Sequence, residues 1–124
     1  MSAAFLEIFA ELRAIMLEAA PGMTIAEDSP GNLTLRTHWI EARTGQPAWF
    51  GWIAIKKSYV AYHIMPLYTL AALEAAVPEG LARRRQGKTC FNVKKADEAV
   101  FAQLRQLTVL AARMEPDLRA AIGA

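Results

Sequence analysis

The sequence predicts an α+β fold: an antiparallel β-sheet of about five strands with N- and C-terminal helices packed on one face. Three observations carry this. Apolar residues near the start recur at three- and four-residue steps, those in the middle alternate in short runs between turn signals, and those near the end return to the helical step. Strands that follow one another through hairpins, with long helices before and after them, give an antiparallel sheet rather than a βαβ fold.

The first helix is expected from about Ser2 to Ala20. Phe5, Ile8, Phe9, Leu12, Ile15, Met16 and Ala19 draw one stripe, Ser2 is placed to cap it, and Pro21-Gly22 ends it. Thr24 to Asp28 and Leu33 to Trp39 then flank Ser29-Pro30-Gly31-Asn32, a turn in which Pro presets φ and Gly accepts a positive one. Trp49 to Ile55 and Tyr59 to Met65 form the most β-like stretch, and a tight turn at Lys57-Ser58 pairs Ile55 with Val60, Ile53 with Tyr62 and Gly51 with Ile64. Pro66 stops the sheet. Thr69 to Val77 and Pro78 to Gln86 read as two short helices, the second closed by Gly87, and Lys88 to Val93 as a short strand. Asp97 and Glu98 open a long last helix whose buried stripe is Val100, Phe101, Leu104, Leu107, Thr108 and Ala111.

Composition narrows the class. A chain of 124 residues that is 54% hydrophobic and 21% charged buries enough apolar surface to fold, and its length suits one domain over residues 1–124. The net charge of +2 is far from the one-signed balance of a dedicated nucleic-acid binder, so no nucleic-acid partner is expected. A single cysteine, Cys90, excludes an intramolecular disulfide and fits a reducing compartment, which places the protein in the cytoplasm. The longest uncharged run, Ser58 to Leu73, holds His63 and Pro66 and is too short to span a bilayer, so no membrane is expected either.

Four spaced blocks stand out: Ala48-Trp49-Phe50-Gly51, Ile55-Lys56-Lys57-Ser58-Tyr59-Val60, His63-Ile64-Met65-Pro66-Leu67-Tyr68, and Arg85-Gln86-Gly87-Lys88-Thr89-Cys90-Phe91-Asn92-Val93. Together they resemble the YdhG-like family of small bacterial domains of unknown function, over about Asp28 to Thr108. The resemblance implies a frataxin-like fold and, through a relative regarded as an intracellular iron chaperone, a role in handling iron. It brings no catalytic residues with it.

Gln86-Gly87-Lys88-Thr89 ends like a phosphate-binding loop, but the motif needs a glycine where Ala82 stands, and it lies between a helix and a strand in the wrong order. Arg83-Arg84-Arg85 reads as a basic helix end. Alternation places Thr34, Arg36, His38, Phe50, Trp52, Ala54, Lys56, Tyr59, Ala61, His63, Met65, Lys88, Cys90 and Asn92 on the sheet face away from the helices. From that face, Arg36, Trp52, Lys56, Tyr59, His63, Lys88, Cys90 and Asn92 are the candidate ligand-binding residues, joined by Tyr68 from the third block. Small Ala54 and Ala61 among aromatic residues suggest a shallow depression for a small ligand, or a surface covered by a protein partner or a second copy. His38, His63 and Cys90 would also suit a transition metal, though two strands separate the histidines.

Two other readings use different residues. Glu7, Glu11 and Glu18 fall along one edge of the first helix, and three carboxylates suit iron as the alternative cofactor. Cys90 with His63 as base is the one nucleophilic pairing, which gives a weak enzyme as the third reading. The leading expectation is a non-catalytic binding domain without a cofactor.

Overall fold

The computed structural model describes residues 2–123. It contains α1 (Ala3–Ala19), β1 (Thr24–Ser29), β2 (Asn32–Ile40), β3 (Pro47–Ile55), β4 (Val60–Ile64), a 3-10 turn (Met65–Tyr68), α2 (Ala71–Ala75), α3 (Glu79–Ala82), β5 (Arg85–Gln86), β6 (Cys90–Val93), α4 (Glu98–Arg113) and α5 (Glu115–Ile122). The strands form one sheet in the order β1-β2-β3-β4-β6-β5, with every neighbouring pair antiparallel. The fold is α+β, with the N- and C-terminal helices on one face of the sheet.

Local chemistry sets the element ends. Ser2 Oγ accepts the Phe5 N–H at 3.1 Å, and Asp97 accepts those of Ala99 and Val100 at 3.0 and 3.2 Å, so both long helices begin on a side-chain cap. Gly31 turns the β1–β2 hairpin at φ +77°, which a side chain would resist. The β3–β4 register is the expected one, with Gly51 opposite Ile64, Ile53 opposite Tyr62 and Ile55 opposite Val60. Those residues face α1 and α4 and share a core with Leu12, Ile15, Met16, Phe101 and Leu104. Every residue of the expected α4 stripe is buried.

Several expectations need correction. The six strands agree with the expected count of about five, but Pro78 to Gln86 does not stay helical: the helix stops at Ala82, and Arg85–Gln86 pairs with Phe91 and Cys90. Gly87 has its positive φ, +70°, in the turn between these strands and not at a helix end. The arginine run is likewise divided. Arg84 pairs with Asp97 at 3.2 Å, and Arg85 makes two 2.6 Å bonds to Glu74, which pins α2 to β5. Of the expected helix Thr69 to Val77 only the five residues Ala71–Ala75 are helical, and the 3-10 turn Met65–Tyr68 precedes it. The last helix breaks at Met114, with Pro116 in the first turn of α5.

Two residues expected on the open face lie elsewhere because the β2–β3 ladder slips twice. Leu35 pairs with Gly51 but Arg36 pairs with Trp49, so Phe50 is the extra residue of a bulge. The bulge turns Phe50 into the core, where it is buried, and Trp49 onto the open face. Further along, the Thr37 hydroxyl takes the place of a ladder group. It accepts the Ala48 N–H at 3.1 Å and donates to Trp39 O at 2.9 Å. Alternation is lost between Arg36 and Ile40, and His38 comes to line a hollow with Ala19 and Val109 on the helix side.

Candidate functional site

The open face is organised around one row of paired residues. Thr34 lies opposite Trp52, Trp52 opposite His63, and His63 opposite Cys90, so four strands place these side chains side by side. Ala54, Ala61 and Asn92 form the next row. The His63 ring stacks on Trp52 with centroids 3.9 Å apart and planes 20° apart, and Trp49 meets Trp52 edge-on at 5.3 Å. The result is a continuous aromatic strip of Trp49, Trp52 and His63.

His63 is neutral at physiological pH. Burial disfavours its charged form, the nearby Lys56 ammonium adds to this, and together they push its pKa down to about 4. Its Nδ1 lies 3.2 Å from the Thr89 hydroxyl. Cys90 is buried, and its thiol pKa is pushed up by that burial. Its S–H donates to Asn92 Oδ1 at 3.3 Å, and the Asn92 amide donates to Gln86 at 2.8 Å. Cys90 and His63 are neighbours that each bond to something else. The pair forms no poised thiolate and base.

A second group of candidates lies at the end of the face where β3 begins and β4 ends. The Arg36 guanidinium sits 3.9 Å from the Trp49 ring centroid, held there by a 2.7 Å bond to Pro47 O. Lys88 Nζ lies 5.9 Å from the ring centroid of Tyr68, which is 70% exposed. Lys56 and Tyr59 belong to the opposite end, in the β3–β4 turn, where Lys56 N–H bonds to Tyr59 O at 2.8 Å. At a rise of about 3.3 Å per residue, Lys56 stands roughly 20 Å along the strand from Trp49. The nine candidates therefore do not gather in a single pocket, and four of them stand in turns rather than on strands: Lys56 and Tyr59 between β3 and β4, Tyr68 in the 3-10 turn, and Lys88 ahead of β6, which begins at Cys90 and not at Lys88 as expected.

Trp49, together with the neighbouring Arg43 and Met65, was missing from that set. The bulge that exposes Trp49 leaves no periodic signature, and its one sequence trace is the pair of large rings before Gly51.

The alternative residues do not converge. Glu7 and Glu11 line a groove of about 560 Å³ beside α1, but Lys94 and Lys95 line it as well. Glu18 is paired with Arg105 at 2.8 Å. His38 is separated from His63 and Cys90 by the sheet. Among the described residues no three His, Cys, Asp or Glu side chains gather as a metal-binding group. No helix among them is long and apolar enough to cross a membrane.

No family model, curated protein or solved structure matches this chain.

Proposed function

We propose that this chain is a small, non-catalytic binding domain of the cytoplasm, related to the YdhG-like domains, whose working surface is the open sheet face. One observation carries the proposal: the strip of Trp49, Trp52 and neutral His63 runs across the face opposite the helices, with Arg36 at its edge. A strip of stacked rings offers flat apolar area, while Arg36, Lys56 and Lys88 offer positive charge around it. This combination suits a small organic ligand better than a metal ion. The free Cys90 supports a reducing compartment.

The test is a thermal-shift panel on purified protein with ferrous iron under anaerobic conditions, zinc, copper, phosphate, nucleotides and organic acids. A ligand that binds only the folded state at 100 times its Kd adds about 2.7 kcal/mol of stability. The expected result is a shift with an organic anion that Trp52→Ala and Lys56→Ala reduce. A shift with iron alone, lost in Glu7→Gln and Glu11→Gln, would overturn the proposal in favour of iron handling.

A further inference from the structure

Beyond the aromatic strip, at the end of the sheet, lies a cavity of about 520 Å³. Trp49, Met65, Leu118 and Ile122 give it apolar walls, and Arg43 and Thr69 contribute polar groups. Its far wall is held in place by the chain itself. Ala42 N–H bonds to Ile122 O at 2.9 Å, Glu41 pairs with Gly123, and Glu41 N–H closes the β2–β3 loop onto Gln46 O at 2.8 Å. The loop and α5 therefore form one framed wall facing Trp49 and Tyr68.

Two features mark this cavity as a ligand site. First, two of the largest exposed rings of the protein, Trp49 at 42% and Tyr68 at 70% exposure, both open onto it. The bulge at Phe50 is what aims Trp49 there, and bulges that re-aim a side chain are common beside functional sites. Second, positive charge outweighs negative around these rings. Arg36 covers Trp49, Lys88 lies by Tyr68, and Arg43 stands on the loop; among the described residues the facing carboxylates are Glu41, which already accepts the Thr44 hydroxyl at 2.9 Å, and Glu74 beside Lys88, which is held by Arg85.

We propose that this cavity binds a small organic acid with a flat apolar body, the body lying between Trp49, Met65 and Leu118 and the carboxylate at Arg43. A volume of about 520 Å³ admits a ring with a short acidic chain. The guanidinium offers a forked pair of donors that fits a carboxylate, and the Thr69 hydroxyl is a further donor on the same wall. This inference rests on the open-face reading and names its ligand class and the place where the charge is taken.

The experiment is a titration of the whole chain with phenylacetate and with uncharged phenylacetamide, followed by ¹H–¹⁵N correlation spectra. The expected result is that phenylacetate moves the Trp49 indole N–H and the Thr69 and Leu118 amides, while phenylacetamide binds about tenfold more weakly. Arg43→Met, on an exposed loop, should bring the acid down to the affinity of the amide without changing the spectrum of the free protein elsewhere. Equal binding of acid and amide, or no movement at these residues, would overturn the inference. Movement confined to Trp52, His63 and Asn92 would also overturn it while leaving the open face as the binding surface. If phenylacetate moves no residue of the cavity or of the open face, the open-face reading fails together with the inference that rests on it.

Discussion

His63 lies flat against Trp52, 3.9 Å between ring centroids, and this stack ties the stability of the sheet to pH. Its folded pKa of about 4 lies below the ordinary histidine value of 6.5. Between these values the unfolded chain binds the extra proton and the folded one does not, so stability falls as pH drops from about 6.5 toward 4 and this contribution is flat below. Because the ring is only half-buried, the loss amounts to about 1–2 kcal/mol. Urea unfolding of wild type and His63→Gln from pH 7.5 to 4.5 checks it. The wild type should lose more stability over that window, and parallel curves would remove the histidine from the account.

Tyr62 and Thr108 join the sheet to α4 inside the core, 2.7 Å apart. The Thr108 hydroxyl donates to Leu104 O, so it accepts from Tyr62. Burial pushes the Tyr62 pKa well up, and the phenol stays protonated as that donor. The two deletions are therefore unequal. Tyr62→Phe gives up one hydrogen bond, about 1 kcal/mol, whereas Thr108→Val leaves a buried phenol O–H without a partner and costs about 1–3 kcal/mol. Chemical denaturation of both single variants and the double variant should show the double costing less than their sum.

Gly51 is the residue on which the β3 bulge closes. A Cβ there would meet His63 O at 2.7 Å and Met16 Cε at 2.8 Å. Methionine yields, but a ladder carbonyl does not without parting β3 from β4. Gly51→Ala should destabilise the protein by about 1–3 kcal/mol. Adding Met16→Ala should not restore the wild-type melting temperature, since the backbone contact remains.

These particular residues show how far periodicity reaches. Ile53, Tyr62 and Gly51 could be assigned partners from the sequence because β3 and β4 alternate without interruption and a slip of one residue would expose their apolar face. The helical stripes were legible for the same reason. Phe50 and His38 were misplaced because each follows a ladder slip, and a slip is fixed by a bulge or by the Thr37 hydroxyl standing in for a backbone group, neither of which alters composition. Arg85 was read as part of a helix end, yet its pairing with Glu74 and Phe91 belongs to tertiary structure. The middle row of the open face follows from alternation alone, whereas the exposure of Trp49 at its end depends on the bulge.

Cys90 supplies the remaining prediction, which bears on whether the face performs chemistry. A nucleophilic cysteine needs an accessible sulfur and a lowered pKa, conferred by a nearby cation or base. Here the residue is buried, burial raises the thiol pKa, and the S–H points to Asn92 rather than to His63. His63 has its own partner in Thr89, and the Lys56 charge, which favours the thiolate, is outweighed by burial. Iodoacetamide at pH 7.4 should therefore modify the native protein roughly tenfold or more slowly than the urea-unfolded chain, where the thiol regains its ordinary pKa and full access. Asn92→Ala should speed native alkylation only modestly, because it frees the S–H without opening the sheet. Rapid, selective modification of the native protein would instead mean that a base reaches Cys90 and that the open face acts on its ligand as well as holding it.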